Sequence, residues 1–192
     1  MFHLEKTLAT GYELTAHKEI SEKYNRKAIL RMAAIHKYLW DKNEKTFVDY
    51  DFVNNKPTGR NTAAIVYPMF LKIATKEQGL HIVKKLENDF LKSGGLVTTL
   101  AFNKQQWDAP NGWAPIQWAG FKGSLNYSFD GFANKIKRNW ISSIDNVFKA
   151  TGKLTEKYNV IEREIAATGG EYPNQDGFGW TNGVYLKLKT FN

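Results

Sequence analysis

No cysteine occurs in the 192 residues, which excludes disulfides and thiolate metal sites and fits a reducing cytosol and a disulfide-free periplasm equally well. His3, His17, His36 and His81 are scattered without ligand spacing and no His-Glu-x-x-His occurs, so neither a metal nor another cofactor is expected. No apolar run reaches the roughly eighteen residues of a membrane span, and Met1-Phe2-His3-Leu4-Glu5-Lys6-Thr7 lacks the apolar run of a signal peptide. The chain as given is therefore expected to be soluble and cytoplasmic, or periplasmic if an N-terminal part is missing. No Gly-x-Ser-x-Gly elbow is present, which argues against a serine hydrolase. Gly177-Phe178-Gly179 lacks both a preceding strand and a third phosphate-binding glycine, which argues against a nucleotide loop. No repeat of fixed period appears, so a regular solenoid is disfavoured.

The net charge is +8, but the cations are interleaved with acids: Lys84 and Lys85 lie near Glu87, and Lys135, Lys137 and Arg138 near Asp145. That is a solvated surface, so no nucleic-acid partner is expected. Hydrophobic residues make up 42% of the chain, enough for a core, and residues 1–192 are expected to form one domain or part of one.

Apolar residues at Ile20, Tyr24, Ala28, Met32, Ile35 and Leu39 predict an amphipathic helix from about Thr15 to Leu39. Asp41 to Arg60 is turn-rich and reads as a loop with a short hairpin. A mostly apolar helix, Ala63 to Ala74 and kinked at Pro68, should precede a one-striped helix from Lys76 to Leu91 with Leu80, Val83, Leu86 and Phe90 inward. A further apolar segment, Trp113 to Tyr127, should precede an amphipathic helix running from Phe132 through Ile136, Trp140, Ile144 and Phe148 to a stop at Gly152. Mostly buried helices alternating with half-exposed ones suggest an all-α fold of helical hairpins arranged as a ring or bundle.

Two blocks break this pattern. Gln106-Trp107-Asp108-Ala109-Pro110-Asn111-Gly112-Trp113-Ala114-Pro115, and the stretch from Gly169 to Gly183, mix tryptophan, amides and carboxylates with Gly and Pro, and are expected to be loops. Aromatic faces that can cover a sugar ring, beside amides and acids that can bond its hydroxyls, suit a carbohydrate pocket. Of the carboxylates Asp108, Glu156, Glu171 and Asp176, local context favours Glu171, set between Gly170 and Tyr172-Pro173. Glu156, beside Lys157, reads as an ordinary exposed residue. Asp108 reads either as a cap on local backbone N–H groups or as a sugar contact. Trp118, at helical spacing, reads as core, whereas Trp107, Trp113, Phe178 and Trp180 are better placed for a ligand.

Together the two blocks resemble signature segments of the trehalases, glycoside hydrolases that split α,α-trehalose into two glucose molecules. Gln106 to Pro115 is similar to the family's Gln-Trp-Asp-x-Pro-x-Gly-Trp-Ala-Pro, and Gly169 to Val184 to its Gly-Glu-Tyr-Pro-x-Gln-Asp-Gly-Phe-Gly-Trp-Thr-Asn-Gly-Val block. The resemblance implies a partial (α/α)6 toroid of about five to six helices, residues 1–192 being the C-terminal part of one catalytic domain. It implies an inverting mechanism in which an Asp protonates the glycosidic oxygen and a Glu activates water, the two carboxyls standing roughly 6.5 to 9.5 Å apart. The base falls on Glu156, in Glu-Lys-Tyr, against the local preference for Glu171. Glu171, Trp107, Asp108, Asn111, Trp113 and Gln175 become sugar contacts. Asn159 replaces the Asp usual after that tyrosine, and Ala167 and Thr168 stand where further glycines are usual.

Neither the family's other signature, Pro-Gly-Gly-Arg-Phe-x-Glu-x-Tyr-x-Trp-Asp, nor the Ser-Gly-Trp-Asp segment of its general acid occurs in these residues. The expectation is a base-side portion, inactive alone, with trehalose or glucose as ligand, no membrane partner, and a complementary N-terminal trehalase fragment as a candidate partner. A non-catalytic sugar-binding or interaction module is the alternative.

Overall fold

The computed structural model describes residues 1–163, 167, 170 and 172–191. They divide into two compact units, Met1–Arg60 and Asn61–Asn192. No helix among the described residues is long and apolar enough to cross a membrane.

In the first unit α1 (Phe2–Leu14) and α2 (Lys18–Leu39) pack as a helical hairpin, turned at Ala16 with φ 62°. Buried Ala9 and Ala28 offer no side-chain bulk to separate the helices. Tyr12 stacks on Tyr24 with ring centroids 5.9 Å apart, and Arg31 donates to both oxygens of Glu5 at 2.8 and 2.7 Å. The periodicity places a helix from Thr15, and α1 precedes it without a matching signal: its buried positions are Glu5 and Ala9, a carboxylate and a methyl rather than an apolar stripe. Two hairpins follow where the sequence suggests one, β1 (Trp40–Asp41) with β2 (Thr46–Phe47) and β3 (Tyr50–Asp51) with β4 (Lys56–Pro57). Each turn is closed the same way: Asp41 accepts from the backbone N–H of Asn43 and Glu44, Asp51 from those of Val53 and Asn54.

The second unit opens with a 3-10 turn, Ala63–Ile65, capped by the Thr62 hydroxyl, which runs into α3 (Val66–Phe70). The helix expected to reach Ala74 ends here, because Lys72 turns to φ 56° and the Ile73 and Ala74 N–H groups both return to the Pro68 carbonyl. Thr75 and Gln78 form a capping box at the start of α4 (Lys76–Lys85), which winds on as a π turn, Leu86–Phe90. Val83, Leu86 and Phe90 are buried as expected, whereas Leu80 is exposed. β5 (Leu91–Lys92) and β6 (Gly95–Leu96) form a hairpin, and then the chain enters the first aromatic block.

That block is not wholly loop. It contains β7 (Asn111–Trp113) and passes directly into α5 (Ala114–Asn126), where Pro115 sits in the first turn and owes no helical hydrogen bond. α5 packs against α3 and against α6 (Asp130–Thr151), and its small residues set the spacing. A Cβ at Gly123 would lie 3.0 Å from the Phe70 nitrogen of α3. α6 buries Phe132, Ala133, Ile136, Trp140 and Ile144 and stops at Gly152, φ 70°, as the spacing predicts. After β8 (Lys157–Asn159) the chain ends in α7 (Gly179–Thr190), which begins inside the second block and so makes Gly179 to Gly183 helical rather than loop. Trp118 is partly buried, in a ring cluster with Phe121 and Phe191.

Candidate functional site

The site is assembled by one short antiparallel pairing. Asn111, Gly112 and Trp113 of β7 lie opposite Asn159, Tyr158 and Lys157 of β8, which brings the first aromatic block alongside the Glu-Lys-Tyr segment. Gly112 is required at the crossing: a Cβ there would meet the Leu96 carbonyl oxygen at 2.8 Å and run into Val160. Buried Gln117 of α5 braces the same region by accepting from Leu96 N at 2.8 Å and donating to Leu96 O at 2.7 Å, as a neighbouring strand would.

The second block closes on this platform. Thr155 bridges Asp176, Gln175 O accepts from Glu156 N at 2.8 Å, and Asn174 bonds both the N–H and the carbonyl of Lys157 at 3.3 and 3.1 Å. From the first turn of α7 the Trp180 indole donates to Glu156 O at 3.2 Å, and the Thr181 hydroxyl to Thr155 O at 2.8 Å. Three tryptophans from the two blocks thereby meet. Trp107 stacks on Trp113 with centroids 4.0 Å apart and 14° between planes, and Trp180 stands edge-on to Trp113 at 5.7 Å. Trp113 is buried, while Trp107 is 42% exposed.

Glu156 sits where these segments converge. Its neighbourhood in sequence suggests an exposed residue, and the structure corrects this: it is 2% exposed, covered by the Gln106 and Tyr172 side chains and by the α7 start. The Tyr172 hydroxyl donates to Oε1 at 2.9 Å and the Gln106 amide to Oε2 at 3.5 Å. Lys157, 1% exposed, donates through Nζ to Gln106 Oε1 at 3.0 Å and lies 5.8 Å over the Trp113 ring. Burial pushes its ammonium below the ordinary lysine value, and the Glu156 charge works the other way.

The remaining candidates separate. Asp108 accepts from the Thr99 hydroxyl at 3.0 Å and from Asn103 N at 3.2 Å, so its carboxylate organises its own loop. Asn111 is buried and donates to Gln106 O at 3.4 Å. Gln175 is exposed at the edge of the Glu156 segment. Asp176 is exposed and pairs with Lys153 at 2.6 Å. Glu171 lies outside the described residues. A cavity of about 200 Å³ opens behind β8 between α6 and residues 174–176, and Glu156 and the tryptophans are not among the residues that line it. Among the described residues no group of acids and histidines could hold a metal. Gln106, Lys157 and Tyr172 are not among the expected site residues, although the Gln beside Trp107 and the lysine beside the glutamate were the available signals.

Fold and site together define the class: an all-α chain of helical hairpins whose loops carry a buried, hydrogen-bonded glutamate to a wall of tryptophans. The family model described as Trehalase matches residues 1–192, and the chain belongs to that family. It is 39% identical over 188 residues to the periplasmic trehalase of Salmonella schwarzengrund (strain CVM19633), across 98% of this chain and 33% of that protein. It therefore spans about a third of the length of the curated relatives it matches. Neutral trehalase Nth1 from Saccharomyces cerevisiae superposes with a TM-score of 0.74 at 29% identity, over 90% of this chain and 31% of that one. A mannosylglycerate hydrolase from Thermus thermophilus shares the fold at 18% identity and a TM-score of 0.67, over 96% of this chain and 42% of that one. The fold is a partial (α/α)6 toroid.

Proposed function

We propose that this chain is the base-side, sugar-binding portion of an inverting α,α-trehalase. Glu156 removes a proton from the attacking water, and the open face of Trp107, with Gln175 and Glu171, contacts sugar. Trp113 and Asn111 support that surface from beneath, and Asp108 holds the loop that carries it. The general acid comes from residues corresponding to the part of the relatives that this chain does not match. The carrying observation is the convergence on Glu156: its backbone carbonyl accepts from Trp180 of the tryptophan cluster, and each of its carboxylate oxygens already has a donor. A general base must be an acceptor that a water molecule can reach. The periplasm, where the curated relatives are named as acting, is the compartment proposed for the full-length form.

The exposed ring of Trp107 also favours a second reading, a sugar-binding module without turnover. Trehalose titrated against tryptophan fluorescence, together with a glucose-release assay on the same purified chain, tests both. Saturable fluorescence change without glucose release is expected of the chain alone. Robust glucose release would refute its dependence on a complementary part, and absence of any sugar response would remove both readings.

A further inference from the structure

The Gln106 side chain links the two charged residues of the site. The Lys157 ammonium can only donate, so the Gln106 atom 3.0 Å from it must be the carbonyl oxygen. That assignment leaves the amide NH2 facing Glu156 Oε2, at 3.5 Å. Lys157 is itself held on both sides of its backbone by Asn174 and lies over the Trp113 ring, so it cannot readily turn away. Gly170, whose N–H donates to Lys104 O at 3.0 Å, confines the amide from the second block, since a Cβ there would overlap it. On the other oxygen of Glu156 the Tyr172 hydroxyl closes at 2.9 Å.

We propose that Gln106, Lys157 and Tyr172 are positioning residues for Glu156: Lys157 fixes which way the Gln106 amide faces, and Gln106 and Tyr172 each donate to a different carboxylate oxygen, holding it in one orientation. The proposal rests on Glu156 acting as the base. It explains why the neighbouring lysine is buried rather than solvated. The Lys157 ammonium reaches Glu156 through the Gln106 amide.

The first test uses the 192-residue chain and reads no turnover. The Gln106 side-chain amide and the Tyr172 ring carbon bearing oxygen are followed by NMR as pH is lowered, with Q106A and Y172F used for assignment. Both signals should shift together in wild type as the carboxylate is protonated, and neither should shift in E156Q. In K157M the amide is free to turn, so the Gln106 response should vanish while that of Tyr172 persists. A Gln106 signal that responds to acid unchanged in K157M, or in E156Q, overturns the proposal. Should K157M not fold, the comparison of wild type with E156Q still decides whether Gln106 and Tyr172 report on Glu156, and a failure there overturns the proposal. Retention of trehalose turnover by E156Q in a complemented enzyme, with the NMR couplings intact, would instead remove the base reading and leave the network standing.

Discussion

Lys157 carries the clearest pH signature of any residue in the site. Its ammonium is held below the ordinary value of 10.5 mainly by burial. Between the folded value and 10.5 the native state thus binds fewer protons than the unfolded chain, and stability rises with pH across that window. The burial cost is fully present below the folded value. Urea midpoints of wild type and K157M should therefore draw in favour of wild type as pH is raised from about 7 towards 10.5, and a constant difference would contradict a buried ammonium. Trp107 makes a second case, because one face is spent on Trp113 and the other is open. W107A should weaken trehalose binding about tenfold, or about 1.4 kcal/mol, as measured by calorimetry. At this scale the aromatics and amides were legible from their clustering among Gly and Pro. The burial of Glu156 was not, since a single Glu-Lys step looks solvated until the Gln106 and Tyr172 side chains, 50 and 16 residues away, fold over it.

Helices with full apolar stripes were readable to within a few residues, as α6 shows by starting near Phe132 and stopping at Gly152. Elements built on small or polar contacts were not. α1 buries a glutamate and an alanine, and β7 and β8 have three residues each, too few for an alternating pattern to emerge. Their pairing nevertheless joins the first block to the Glu156 segment, and it passes through Gly112, against which the Leu96 carbonyl and Val160 are already packed. G112A should destabilise the second unit by about 1 to 3 kcal/mol, the usual cost of overpacking, read from denaturant unfolding. It should also lower the fluorescence response to trehalose, because the strand that carries Trp113 is displaced. Unfolding free energy within a few tenths of wild type would show that β7 is not tightly seated.

Several large apolar side chains stand open to solvent. Leu14, Ile29 and Leu30 of the first unit are each at least 60% exposed, as is Leu186 on α7 of the second. Soluble monomers seldom leave such residues open in patches, so the purified chain should self-associate with rising concentration, and a monodisperse monomer by light scattering would contradict this. The most direct measurement is glucose release from trehalose when this chain is combined with the part of the Salmonella periplasmic trehalase that it does not match. Wild type should restore hydrolysis, and E156Q should lower it by about 10² to 10⁴-fold, the usual contribution of a general base. Equal hydrolysis with wild type and E156Q would contradict the account.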